Sequence, residues 1–224
     1  MNIDFHAHIL PGADHGSRSL EVSLQQLDMA RQAGMDTVVA TPHFYPLEED
    51  IEDFLERRRT CSLELREAVR GGNYPEILVA SEAQLCRGME NIPGLSRLCI
   101  EGTNTLLLEL PPDYSIRYYE QTLDALLFGH DLRIVLAHVD RYAPTQINFL
   151  LDAGARAQVN AESVCRLRTR RLCMDWIQSG AAVALGSDIH GLSVGYSEFL
   201  RAKKHLGGEY ESLMKRTVEF LPAV

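Results

Sequence analysis

The chain has 224 residues, 46% hydrophobic and 24% charged, with 22 Lys and Arg against 31 Asp and Glu for a formal charge of −9. These proportions exclude a disordered, fibrous or collagen-like chain, and the length suits one substantial domain, taken as residues 1–224. Net acidity argues against nonspecific binding to nucleic acid or an anionic membrane, no apolar run reaches the roughly 18 residues of a membrane span, and five irregularly spaced cysteines without a C-x-x-C pair point to a reducing cytoplasm.

Aliphatic or β-branched runs at 2–6, 36–41, 76–81, 104–110, 132–138, 155–160 and 181–187 are each succeeded by an amphipathic stretch, the rhythm of βα units around a parallel sheet. Seven units in 224 residues average about 32 each, close to the roughly 30 of a (β/α)8 barrel; an open doubly wound sheet is the alternative. Ser17 and Ser19 precede Leu20, Leu24 and Leu27 at helical spacing, and Gly34 stands where a C-terminal cap belongs. Residues 49–70 predict a long charged helix ended by Gly71 and Gly72. His130 is expected at a helix end, the basic run from Arg166 to Arg171 at a solvated helix start, and His205 on a helix surface.

The chemistry sits at the carboxyl ends of six of the seven runs. The first ends in His6-Ala7-His8, the second in Thr41-Pro42-His43, the third in Ser81-Glu82, the fourth in Glu109, the fifth in His138 and the seventh in Ser187-Asp188-Ile189-His190. In a parallel barrel these ends share one face, where catalytic residues collect. Neutral imidazoles and ionised carboxylates without thiolates suit Mn, Fe or Zn with nitrogen and oxygen ligands. Arg141, three residues past His138, cannot ligate a cation, but its planar fork suits a phosphoryl group.

The ordered set Asp4-Phe5-His6-Ala7-His8-Ile9-Leu10-Pro11-Gly12, Ala40-Thr41-Pro42-His43, Glu82, Glu109-Leu110-Pro111, Ala137-His138-Val139-Asp140-Arg141-Tyr142, Gln158-Val159-Asn160 and Ser187-Asp188-Ile189-His190 resembles the polymerase and histidinol phosphatase (PHP) family. Within it, the chain is similar to the bacterial capsular and exopolysaccharide protein-tyrosine phosphatases. The resemblance implies a distorted (β/α)7 TIM-like barrel with a trinuclear, usually manganese-dependent metal site. It also implies His6, His8, His43, Glu82, Glu109, His138, Asp188 and His190 as metal ligands, with Arg141 on the phosphoryl oxygens. The usual substrate is the phosphotyrosine-bearing tail of a kinase controlling polysaccharide export.

Two departures from the family pattern stand out. Where the family carries two aspartates, the second a ligand, this chain has Asp14-His15, so either His15 through nitrogen or Asp14 takes that place. Residues 191–196 lack the phosphate-contacting Arg that the family often supplies after His190.

The resulting expectation is metal-assisted phosphomonoester hydrolysis, by attack of a metal-bound hydroxide on phosphorus, with Asp188 and His190 the candidate proton donors. A small phosphate ester of the histidinol-phosphate type is the alternative substrate, and a metal-binding, noncatalytic regulator the alternative role. An amidohydrolase with a carbamylated lysine finds its only lysines at Lys203, Lys204 and Lys215, after the last motif. A serine hydrolase would use Gly191-Leu192-Ser193-Val194-Gly195, but Ser193 lies six residues past Ser187 instead of on the turn directly after the strand.

Overall fold

All strand ladders are parallel, as the alternating pattern predicts. The computed structural model describes residues 1–112, 115–193 and 195–222, so Val194 of the Gly191 to Gly195 stretch lies outside the described residues. In chain order the elements are β1 (Ile3–His8), α1 (Leu20–Gln32), β2 (Thr37–Ala40), β3 (His43–Phe44), α2 (Ile51–Val69), β4 (Glu76–Val79), β5 (Glu82–Gln84), β6 (Thr105–Glu109) and α3 (Ile116–Asp124). They continue with β7 (Arg133–Leu136), α4 (Pro144–Asp152), β8 (Arg156–Asn160), α5 (Ala161–Cys165), α6 (Leu167–Gln178), β9 (Ala182–Gly186), β10 (Ile189–His190), α7 (Ser197–Leu206) and α8 (Gly208–Val218).

Three of the seven predicted strands do not run straight. Thr41-Pro42 separates β2 from β3, Ala80-Ser81 separates β4 from β5, and Ser187-Asp188 separates β9 from β10. Pro42 has no N–H for a ladder, and Asp188 sits at φ +52°, a region sparsely populated by residues other than glycine. These breaks divide the strands into two sheets, β10-β1-β2-β4 and β3-β5-β6-β7-β8-β9. They also set the register of the polar residues, because the resumed strands pair His43 with Glu82 and His8 with His190, while Gln84 pairs with Glu109.

Helix boundaries follow local chemistry. The Ser19 hydroxyl accepts from Val22 N at 3.3 Å to cap α1, and the Asp50 carboxylate accepts from Glu52 N at 2.8 Å to cap α2. Beyond α2, Gly71 adopts φ +74°, which stops the helix where the glycine pair predicts. A π-helical turn, Ala125–Gly129, runs up to His130, which therefore stands at a helix end. Within the basic run, Arg170 donates to the Val164 and Cys165 carbonyls at 3.0 and 2.7 Å and so satisfies the end of α5. His205 is exposed on α7, 3.2 Å from the Arg170 guanidinium.

Phe5, Phe44, Phe54, Leu27, Leu65 and Phe199 are essentially inaccessible. Each such side chain contributes about 1.5–3 kcal/mol of burial, which helps offset the cost of enclosing Asp4, His6, His8 and Glu82 at 0% exposure. Among the described residues no helix is long and apolar enough to cross a membrane. All five cysteines are buried and unpaired.

Candidate metal centre

β1 alternates between apolar Ile3, Phe5 and Ala7 and polar Asp4, His6 and His8, so one side of a single strand carries all three polar groups. Their orientation is set by hydrogen bonds. Gln158 on β8 is held both ways: its Oε1 accepts from His138 N at 2.7 Å, and its Nε2 donates to Asn160 Oδ1 at 2.9 Å. Oε1 also lies 3.1 Å from His6 Nδ1, so that nitrogen carries the proton and Nε2 keeps its lone pair. His8 is fixed in the same sense, with Nδ1 2.7 Å from Asp14 Oδ2.

The two free nitrogens, His6 Nε2 and His8 Nε2, face each other at 3.0 Å. Asp188 Oδ1 lies 3.6 and 3.5 Å from them, and Glu82 Oε2 lies 3.2 Å from both. Glu82 extends the cluster on two sides, with Oε2 3.0 Å from His43 Nδ1 and Oε1 2.7 Å from His138 Nε2. Beyond His138, Glu109 Oε1 is 3.6 Å from the same Nε2, and His190 Nε2 lies 3.4 Å from His43 Nε2.

Three sets of atoms are close enough to share a cation: His6, His8 and Asp188; His8, His43 and His190; and His43, Glu82 and Glu109. The donor set fits a divalent metal on an independent observation. Glu82 Oε2, His43 Nδ1 and His138 Nδ1 are buried without a hydrogen-bond partner, although the first two stand 3.0 Å apart. Buried polar atoms are seldom left so, and lone pairs gathered at one point are what a cation satisfies.

Other residues in the motifs take different places. Asp14 spends its carboxylate on His8 Nδ1, on His43 N at 3.0 Å and on Gly16 N at 2.8 Å, so it buttresses two histidines. His15 stacks its ring on His43 at 4.9 Å and on His190 at 4.7 Å, at the exposed rim. Neither offers an atom to the three sets. Arg141 pairs with Asp188, whose Oδ2 also accepts from Asn160 Nδ2 at 3.0 Å. Arg141, Asn160, Asp188 and His190 line a cavity of about 140 Å³ next to the cluster.

Two contributors carry no role on spacing alone. Gln158 and Asn160 orient His6 and Asp188, a task visible only once β8 lies beside β9. Asp4 accepts from Ser187 N at 2.8 Å and from the Tyr196 hydroxyl at 2.7 Å, tying β1 to the break that precedes Asp188.

Electrostatics reflect this crowding. Burial alone would raise Glu82 and Asp188, but the surrounding histidines, with Arg141 beside Asp188, hold both well below the usual carboxylate range. Glu109 is raised, by burial and by the charge on Glu82. Burial lowers His6 and His8, yet the carboxylates outweigh it and both are raised. His190 is pushed down to about 4 by burial and the neighbouring charge on His8.

Comparison with known proteins gives the chain's family and its structural neighbours. The tyrosine-protein phosphatase YwqE of Bacillus subtilis is 24% identical, over 98% of this chain and 91% of its own length. The tyrosine-protein phosphatase CpsB of Streptococcus pneumoniae is 28% identical over 73% of this chain and 69% of its own. A crystal structure from work on YwqE and CpsB, described as unique metal-dependent tyrosine phosphatases, superposes with a TM-score of 0.78 at 21% identity, covering 99% of this chain and 96% of that one. The histidinol phosphate phosphatase of Lactococcus lactis, solved with zinc, L-histidinol and phosphate, superposes at 0.62 and 12% identity, covering 93% of each chain. These two likenesses show the α/β fold of the chain. The family of capsular polysaccharide synthesis proteins CpsB/CapC matches residues 2–218, and this chain belongs to it.

Proposed function

We propose that this chain is a metal-dependent protein-tyrosine phosphatase whose substrate is the phosphotyrosine-bearing tail of a kinase controlling polysaccharide export. The observation that carries the reading is the convergence of orphaned imidazole and carboxylate atoms beside an arginine that can grip a phosphoryl group. Family membership and the tyrosine phosphatases among its relatives support it.

His6, His8, His43, Glu82, Glu109, Asp188 and His190, which make up the three sets, together with His138, whose Nε2 lies beside Glu82 and Glu109 but in none of the sets, would hold three divalent cations, with Mn ahead of Fe or Zn, through nitrogen and oxygen alone. Asp14 orients His8, and His15 stacks at the rim. When bound, the cations supply a water of lowered pKa and neutralise charge on the phosphoryl oxygens. The Arg141 side chain is 51% exposed and, among the described residues, paired with Asp188 alone, so its fork is free to take two phosphoryl oxygens while Asn160 keeps Asp188 in place.

The leaving group decides between aryl and alkyl esters. Asp188 is held well below the usual carboxylate range and His190 is at about 4, so neither carries a proton to donate near neutrality. A tyrosine phenolate, with a reference pKa of about 10, leaves more readily than an alkoxide, which needs a proton or a cation on the leaving oxygen. That favours phosphotyrosine over histidinol phosphate.

With each broken pair counted as one strand, the pairing of β10 with β1 and of β9 with β8 across the two sheets supports reading the architecture as a distorted (β/α)7 barrel. Five buried, unpaired cysteines favour the cytoplasm. The test combines elemental analysis with assays on phosphotyrosine peptide, p-nitrophenyl phosphate and histidinol phosphate. Phosphotyrosine peptide is expected to be preferred and chelation to abolish turnover. Full activity in chelated protein, or faster hydrolysis of histidinol phosphate, contradicts the proposal. Ser193→Ala is expected to retain activity.

A further inference from the structure

Away from the histidine cluster, α2 and residues 96–103 enclose a second cavity of about 370 Å³. Arg58, Arg59 and Arg66 reach it from α2 and Arg97 from the facing segment, while Glu101 is the one carboxylate on its wall. In a chain of charge −9 this gathering of guanidinium groups runs against the overall balance.

The four arginines fall into two kinds. Arg58 is held by neutral oxygens: it donates to Ala80 O at 3.2 Å, Ser81 Oγ at 2.6 Å and Arg97 O at 2.8 Å. Among the described residues no carboxylate stands within ion-pair distance of Arg58, and Glu101 answers its charge only at longer range. Arg66 is anchored by Ile77 O at 2.9 Å and shares Glu101. Arg59 and Arg97 are held by Glu56 and Glu52 in pairs whose side chains are all more than half exposed. Such pairs are worth about 0–1 kcal/mol, so both rim arginines can turn inward at small cost.

Two fixed and two mobile planar forks around one cavity suit the tetrahedral oxygens of phosphate, which accept bidentate pairs. A neutral guest leaves Arg58 without a close counter-charge, and a single carboxylate answers only one of the forks. We propose that the cavity between α2 and residues 96–103 binds a phosphate dianion, as inorganic phosphate or as the phosphate of a small monoester, through Arg58, Arg59, Arg66 and Arg97.

The experiment is calorimetric titration of the metal-loaded protein with inorganic phosphate and, separately, with a non-hydrolysable hexose phosphonate. Arg58 also holds Ala80 and Ser81, directly ahead of Glu82, so the variants spare it. Wild type is expected to show a second site besides that of the metal face. In Arg59→Ala/Arg97→Ala, and again in Arg66→Ala, that second site weakens at least tenfold while kcat on phosphotyrosine peptide stays unchanged. Tighter binding of the phosphonate assigns the site to an ester, and tighter binding of phosphate assigns it to the free anion. One site only in wild type, or two sites unaltered in both variants, overturns the proposal.

Discussion

His6 Nε2 and His8 Nε2 stand 3.0 Å apart with the proton of each ring committed to the opposite nitrogen, toward Gln158 and Asp14. Two lone pairs at that separation call for a cation or a proton between them, and in metal-free protein the proton serves. Burial opposes it, but Glu82 and Asp188, with Asp14 at His8, raise both rings above the ordinary 6.5. A raised folded value means that this stabilisation is complete below 6.5 and is lost as pH rises through the folded values. Asp14, Asp188 and Glu82 are held low, so their contribution is present above 3.8–4.5 and is lost as pH falls through the folded values. Metal must displace the shared proton, so the rise in Tm produced by Mn²⁺ is expected to grow from about pH 6 to about pH 8, with proton release on titration. A thermal-shift series in which the metal increment shrinks over that range contradicts this.

Gln158 orients His6 from outside the cluster. In Gln158→Leu the His6 ring loses its acceptor and His138 N its partner, while the buried volume is nearly kept. Metal affinity should fall about 10–100-fold, and stability by about 1–3 kcal/mol from the unsatisfied N–H. Competition with a metal-binding dye, alongside a denaturant melt, separates the two effects. Unchanged affinity would remove Gln158 from the orienting role.

The cluster was legible in sequence because six of the seven aliphatic runs end in a His, Asp or Glu able to ligate, and parallel strands place such ends together. The three strand breaks were not legible. Thr41-Pro42 carries a proline signal, but Ala80-Ser81 has none, and the φ +52° of Asp188 has no composition cue. Asp14 against His15 stayed open because the choice rests on which side chain bonds His8, a distance no spacing encodes. Residues 49–70 read as a charged helix, and that Arg58, Arg66 and Arg97 share a cavity depends on the long loop before β6 folding back on α2.

Two glycines allow the histidines their positions. A Cβ on Gly186 would lie 2.6 Å from both His6 Cβ and Gln158 Nε2, and one on Gly16 would lie 2.1 Å from His8 Cβ. Gly186→Ala and Gly16→Ala should therefore lower Tm and metal content together, by overpacking of about 1–3 kcal/mol. Gly208, the first residue of α8, has nothing within 4 Å of its would-be Cβ, so Gly208→Ala should instead stabilise by about 0.4–1 kcal/mol. Thermal melts of the three variants, with metal analysis, decide the matter; equal effects at all three positions would refute the crowding around His6 and His8.

Arg141 separates phosphate binding from metal binding. Among the described residues it meets the cluster through Asp188, which keeps Asn160 and, at longer range, His6 and His8 when the guanidinium is removed. Arg141→Ala should then retain its metal content while kcat on phosphotyrosine peptide drops by roughly 10²–10³, the loss typical of one donor to developing charge. Arg141→Lys should recover little, because a point charge cannot replace the two-pronged contact. Loss of metal in step with activity would instead make Arg141 a support for Asp188. Fluorescence titration with vanadate as a phosphate mimic offers a second readout: weak binding by metal-loaded Arg141→Ala places the guanidinium on the phosphoryl oxygens, whereas wild-type affinity does not.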